Sequence, residues 1–251
     1  MKLALNLIFS LLLTSGIYSQ QLIIKKELTG FIAGGTNCYL VYDSISKEAA
    51  LIDPGDIANT LLSEIEQNKL TLKYILITHC HPDHMYGIIS MDLKRKFPDT
   101  KICFTNEGYN DMFEIVANWR EVYPSYIVDM ITGSSEGMRI FDMDYKKIGK
   151  PDIFIQDGQF FPLGSTKIKA IKTPGHARGS VSFYAENYIF TGDELQRGKT
   201  GGTDISPASS FDMQVKSIQK LYKLPDETIV YPGHGQSTTI GYEKINNPFL
   251  S

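Results

Sequence analysis

Five histidines occur in this chain of 251 residues, and all five fall in three short patches. The first is Thr78-His79-Cys80-His81-Pro82-Asp83-His84. The second is Thr173-Pro174-Gly175-His176, and the third is Tyr231-Pro232-Gly233-His234. Histidine used for ordinary packing would leave a stray or two on the surface; here none is spare. Imidazole is the commonest protein ligand of zinc-type metals, so the pattern points to metal chemistry at a pair of ions. His79 and His81 alternate around Cys80 at the end of an apolar run, so their side chains share one side and Cys80 points away. A turn follows at Pro82. Asp83 and His84 then occupy the first turn of the next helix and face a second point a few ångströms off. One segment thus offers two candidate ligands to each of two ions.

His176 and His234 follow Pro-Gly turns at strand ends, and Asp193, in Phe190-Thr191-Gly192-Asp193, is placed the same way. Each follows a glycine, which lets the backbone turn sharply and come close to a neighbour. Metal ligands need groups behind them that fix their orientation. Asp53, in Asp53-Pro54-Gly55 at another strand end, is the candidate for that task. Cys80 reads as an inert buried thiol, and the aromatics between Phe113 and Tyr145 as core before pocket.

The elements that must position these residues follow from periodicity. Gln21 to Lys26, Thr36 to Tyr42 and Ala49 to Ile52 read as strands, with a glycine-rich turn at 30–35. Apolar residues at 57, 61, 62 and 65 mark a helix over Ile57 to Asn68. Leu72 to Thr78 is a β-branched run with the look of a central strand. Helices are expected over His84 to Lys96, Glu107 to Arg120 and Phe211 to Lys220. Further strands are expected at Lys101 to Phe104, Asp152 to Gln156, Thr166 to Lys172, Val181 to Tyr184, Tyr188 to Thr191 and Thr228 to Tyr231. Residues 121–150 are expected to form a helical or loop excursion over the site. Strands with interspersed helices imply an α/β (α+β) fold of two sheets face to face with helices outside.

Hydrophobic residues make up 42% of the chain and charged residues 21%, ordinary for a globular domain. The net charge of −3, with no Lys/Arg-rich run, speaks against nucleic acid or an anionic membrane as a partner. Residues 1–19 read as a signal peptide: Met1-Lys2, an apolar run from Leu3 to Leu13, then a small polar tail. That run is too short for a spanning helix, which needs about 20 residues. Residues 20–251 then form the mature domain, expected outside the cell or in the periplasm, with no membrane span. Cys38, Cys80 and Cys103 form no C-x-x-C pair and favour no disulfide.

The ordered set His79-x-His81-x-Asp83-His84, then Gly-His176, Gly-Asp193 and Gly-His234, resembles the metallo-β-lactamase superfamily over nearly the whole mature chain. The resemblance implies a four-layer αβ/βα sandwich with a dinuclear site at one edge. By position, His79, His81 and His176 would hold the first ion; Asp83, His84 and His234 would hold the second; Asp193 would bridge them. Two Zn2+ are the implied cofactors, iron or manganese being the alternatives. The tail from Gly235 to Leu250 is similar to the short glyoxalase II-like branch, which hydrolyses thioesters such as hydroxyacylglutathione. Gly201-Gly202-Thr203-Asp204 resembles that branch's Gly-Arg-Thr-Asp segment, with Gly202 in place of the basic residue and Lys199 or Arg197 as substitutes for substrate binding. The implied chemistry is attack by a metal-bridging hydroxide on an ester-like acyl bond of a small molecule, thioester first, with Asp83 and Asp193 as the catalytic carboxylates. The alternatives are a lactonase or β-lactamase, and a persulfide dioxygenase holding one iron through the equivalents of His79, His176 and Asp193.

Overall fold

The computed structural model describes residues 22–30 and 34–249. The expected signal peptide lies outside the described residues, as do Gln21, residues 31–33 of the glycine-rich turn and Leu250 of the tail. No helix among the described residues is long and apolar enough to cross a membrane.

Among the described residues, twelve strands form two six-stranded sheets. The first holds β1 (Leu22–Thr29), β2 (Thr36–Asp43), β3 (Glu48–Ile52), β4 (Thr71–Leu76), β5 (Lys101–Phe104) and β6 (Ile153–Phe154), in space as in sequence. β1, β2 and β3 pair antiparallel in succession, and β3 to β6 pair parallel. The second holds β7 (Phe160–Leu163), β8 (Thr166–Lys172), β9 (Val181–Ala185), β10 (Tyr188–Gly192), β11 (Ile229–Pro232) and β12 (Thr238–Thr239). It is antiparallel except between β10 and β11. A parallel pair needs a crossover. Asn59–Gln67 supplies one between β3 and β4, and Phe211–Leu221 another between β10 and β11.

Strand periodicity sorts the core into layers. All eight residues of β2 are buried, because both faces of that strand are covered. Tyr39 and Val41 face the second sheet and meet Phe161, Ile168, Phe183 and Phe190. Cys38, Leu40 and Tyr42 face the other way and join Leu61, Ile65 and Met85 of the outer helices. On the far side, Ile189 and Val230 pack against Ile218, Leu221 and Ile240. The molecule is therefore the four-layer helix–sheet–sheet–helix sandwich expected from the sequence. Fully burying a Leu or Phe contributes about 1.5–3 kcal/mol, so the layer between the sheets fixes where the strand ends fall.

The helices at Asn59–Gln67 and Phe211–Leu221 are single spans as expected, and others depart from that pattern. His84 to Lys96 is three short helices, Pro82–Met85, Gly87–Ser90 and Leu93–Lys96. Gly87 donates its N–H to Pro54 O at 2.7 Å, and Asp92 adopts φ 53°, so the axis is broken twice. Glu107 to Arg120 resolves into Asn106–Glu114, a 3-10 turn at Val116–Asn118 and Trp119–Val122. Residues 121–150 are largely helical, through Ser125–Thr132, Ser135–Phe141 and a 3-10 turn at Tyr145–Ile148. The expected strand Asp152 to Gln156 contracts to Ile153–Phe154. β7 was not expected, because Pro162 masks it. Proline is tolerated there because β7 is the edge of its sheet.

Candidate metal centre

All seven expected ligands lie just beyond the carboxyl ends of strands: His79, His81, Asp83 and His84 after β4, His176 after β8, Asp193 after β10 and His234 after β11. Asp53 sits at the end of β3, in the left-handed region at φ 49°. The ligand loops come from both sheets, and a seam holds their ends together. Asn37, at the start of β2, gives its backbone N–H to Gly233 O at 2.7 Å and its side-chain amide to Pro232 O and Gly235 O. Tyr39 Oη–H donates to Pro232 O at 2.6 Å. Gly233 is required by the close approach itself: a Cβ there would land on Asp193 Oδ1 and the His84 ring.

His79, His81 and His176 form one convergent triad; His79, His84 and Asp193 form a second; Asp83, His84 and His234 form a third. Within each, the ligand atoms lie within 4.8 Å of one another. His81 Nδ1 is 3.0 Å from both His79 Nε2 and His176 Nε2. His84 Nε2 and His234 Nε2 are 3.3 Å apart. Asp193 lies between the groups, with Oδ2 3.8 Å from His176 Nε2 and 3.2 Å from His234 Nε2, and Oδ1 3.7 Å from His84 Nε2. His79, His84 and His176 are sealed from solvent, and the other ligands are at most 9% exposed.

The outward-facing ring nitrogens are pinned. His84 Nδ1 faces Asp53 Oδ2 at 3.0 Å, and Asp53 is itself held by Thr78, whose N–H and Oγ1–H donate at 2.8 and 2.7 Å. His176 Nδ1–H donates to Gly202 O at 2.7 Å, and His234 Nδ1–H to Gly35 O at 2.9 Å. Such contacts set ring tilt and tautomer. Asp53 thus stands behind the imidazole of His84, one of the candidate ligands. Cys80 turns into the helix-side core, and burial pushes its thiol well up.

Charge divides the cluster. His79 is held well below the ordinary imidazole pKa by burial and by His84, His81 and His176. His81 falls to about 3, by burial first and then His176. Burial also lowers His176. The other group behaves in the opposite way. Burial opposes a proton on His84 and His234, yet Asp83 and Asp193 prevail: His84 is raised and His234 is pushed up to about 11. Burial likewise opposes charge on Asp83 and Asp193, but His84 and His234 hold both well below the carboxylate range. Among the described residues, the ion-pair partners of these two carboxylates are imidazoles and not Lys or Arg. Two buried carboxylates so placed call for positive charge at the point where the nitrogens meet. Asp193 Oδ1 is also buried without a hydrogen-bond partner. The nitrogen and oxygen donor set suits zinc, iron or manganese.

A cavity of about 270 Å³ opens onto the cluster. Its mouth is lined by Tyr123, Ile127, Met130 and Phe141 of the helical excursion, and by Gln196, Lys199, Thr200, Gly201, Gly202 and Ile205. Tyr123 and Phe141 are both core and pocket: they pack with Trp119, Ile131 and Ile140 and also border the opening. Lys199 lines this cavity. Arg197 does not; its guanidinium lies 5.1 Å from the Tyr242 ring centre and reaches Ser237 O in a separate hollow. Sequence reasoning missed Thr36, whose Oγ1–H donates to Asp83 Oδ2 at 2.8 Å. It also missed Glu194, fully buried, whose Oε2 accepts the His176 N–H and whose carboxyl burial pushes up to about 8. A charged residue directly after Asp193 in a buried run was the available signal. The carbonyls of Gly35 and Gly202 carry no side-chain signal at all.

The family profile described as the metallo-beta-lactamase superfamily matches residues 32–234. An uncharacterized protein of Mycobacterium leprae is 36% identical over 229 residues, covering 89% of this chain and 98% of that protein. The hydroxyacylglutathione hydrolase GloC of Haemophilus influenzae is 34% identical over 229 residues, covering 90% and 97%. Among solved structures, BLEG-1 B3 metallo-beta-lactamase aligns with TM-score 0.70 and 29% identity over 91% of this chain and all of that one. TTHA1623 in a di-iron-bound form aligns with TM-score 0.67 and 28% identity over 90% of this chain and all of that one.

Proposed function

The chain belongs to the metallo-β-lactamase superfamily, and from that premise we propose that it is a dinuclear metal-dependent hydrolase of ester-like acyl bonds, with thioesters as the first class. The observation that carries the reading is the set of three overlapping triads with Asp193 between them. His79, His81 and His176 would hold one ion, Asp83, His84 and His234 the other, and Asp193 both. Likeness to the hydrolase GloC supports the thioester class.

Divalent zinc, when bound, lowers the pKa of water from 15.7 to about 7 and polarises an acyl carbonyl. The chain's own residues prepare the site for that chemistry. Asp53, Gly202 O and Gly35 O orient the rings of His84, His176 and His234. Thr36 fixes one oxygen of Asp83. Asp83 and Asp193 would offset two of the four positive charges of two divalent cations, so the centre would keep a net positive charge suited to an electron-rich carbonyl and to negative charge developing on its oxygen. Tyr123 and Phe141 shield the opening from water. Lys199, at the rim, is placed to meet an anionic part of the substrate. The N-terminal signal pattern supports an exported enzyme.

A second reading places a β-lactam or lactone ring on the same centre, and likeness to BLEG-1 favours it. A thioester, lactone and nitrocefin panel on metal-loaded protein decides between them. Two metals per chain with thioester turnover is the expected result. One iron per chain with thiol-dependent oxygen uptake would replace the hydrolase by a dioxygenase.

A further inference from the structure

The cavity over the metal centre has two unlike walls. One is built from the helical excursion and the loop opposite it: Tyr123, Ile127, Met130, Phe141 and Ile205. None of these five carries a charge. The other is polar and comes from Gln196, Lys199 and Thr200. Outside the metal cluster, Lys199 is the one charged group among the described lining residues, and no carboxylate there pairs with its ammonium. Met130 is 47% exposed, a large apolar side chain that lines the cavity. Tyr126 Oη–H donates to Asp204 at 2.7 Å, which links the excursion to the opposite loop. Tyr123 lies against His81, ring centres 6.2 Å apart, so the apolar wall begins beside the metal cluster.

Resting on the hydrolase reading above, we propose that the site selects substrates whose acyl group is an uncharged hydrocarbon chain of medium length, seated on the apolar wall. Hydrolysis adds the oxygen of one water to the acyl carbon, breaks the bond to sulfur or oxygen, and sends a proton to the departing atom. The departing alcohol or thiol must be protonated and released to solvent, which suits the wall of Gln196, Lys199 and Thr200. The uncharged wall is left to the acyl chain. A charged acyl tail would lose hydration there with no cation on that wall to replace it, because Lys199 stands on the other one. Each methylene seated on such a surface is worth about 0.8 kcal/mol, or roughly fourfold in kcat/KM. A cavity of about 270 Å³ is at the small end for a ligand site, so the gain stops once the chain fills it.

The test is a ladder of thioesters of one thiol, N-acetylcysteamine, with straight acyl chains from acetyl to decanoyl and succinyl as the charged member, on protein loaded with zinc. The expected result is a rise in kcat/KM of two- to fourfold per methylene up to about hexanoyl, then a plateau, with succinyl at least tenfold below butyryl. Met130→Glu and Ile127→Ser should each flatten the slope for the longer chains. A flat or falling ladder, or preference for succinyl, would overturn the proposal. Should no thioester, lactone or β-lactam turn over, the hydrolase reading fails separately. The wall is then read by calorimetric binding of hexanoate against acetate to the zinc-loaded protein: at least tenfold tighter hexanoate upholds it, and equal affinity overturns it.

Discussion

The metal cluster and the wall above it are built on opposite plans. The cluster stands on strand ends, is buried, and has rings tied to Asp53, Gly202 and Gly35. The wall stands on short helices between β5 and β6, is partly exposed, and is fixed across the mouth by the bond from Tyr126 to Asp204. Strand ends joined across two sheets by hydrogen bonds hold the candidate ligands in register. A helical insertion resting on Trp119, Ile131 and Ile140 can change its lining without moving the sheets. Chemistry is thus placed on the rigid part and selection on the adjustable part.

That division breaks if substitutions in the two regions act alike. The largest effect should come from His79→Ala or Asp193→Ala: loss of at least a thousandfold in kcat/KM, with circular dichroism unchanged. Full activity in either variant would sink the metal centre. Asp53→Ala should lower metal affinity by 10- to 100-fold, read by competition with a chromophoric chelator, while changing acyl selectivity little. Tyr126→Phe should do the reverse, with metal content unchanged and KM raised a fewfold. A fall in metal occupancy in Tyr126→Phe would show that the wall and the cluster are not separate.

The pH dependence of metal-free protein sharpens the contrast inside the cluster. His84 and His234 have raised pKa values, so the stability they contribute is full below the unfolded value of about 6.5 and is lost as pH rises towards about 11. His79, His81 and His176 have lowered values, so their contribution is full above about 6.5 and is lost as pH falls towards about 3. Asp83 and Asp193, also lowered, withdraw theirs below the ordinary carboxylate range. The metal-free melting temperature should therefore peak near pH 6.5 and fall on both sides. Metal loading should displace protons from His84 and His234, so affinity should rise with pH. Calorimetry in two buffers of different ionisation enthalpy reads the protons released.

The convergence of the seven candidate ligands was legible in the sequence because metal chemistry tolerates few residue types and the order of the seven is distinctive. The strands were legible where alternation or a β-branched run was strong, as in Thr71–Leu76 and Thr166–Lys172, the latter with the bounds expected. β7 was hidden by Pro162, whose edge position no local signal reveals. The breaks after His84 were hidden because Gly87 turns to meet Pro54 O, a partner more than thirty residues away. Gly35 and Gly202 act through carbonyls, and a carbonyl looks the same at every position.

The seam from Asn37 and Tyr39 to Pro232, Gly233 and Gly235 has a consequence for the order of folding. A nascent chain that has completed its first sheet owns His79, His81, Asp83 and His84, but neither group of ligands is whole until Asp193, His176 and His234 arrive from the second. On the proposed dinuclear reading, capture of both ions becomes a checkpoint passed only by a finished molecule, and a half-made one has little with which to retain them.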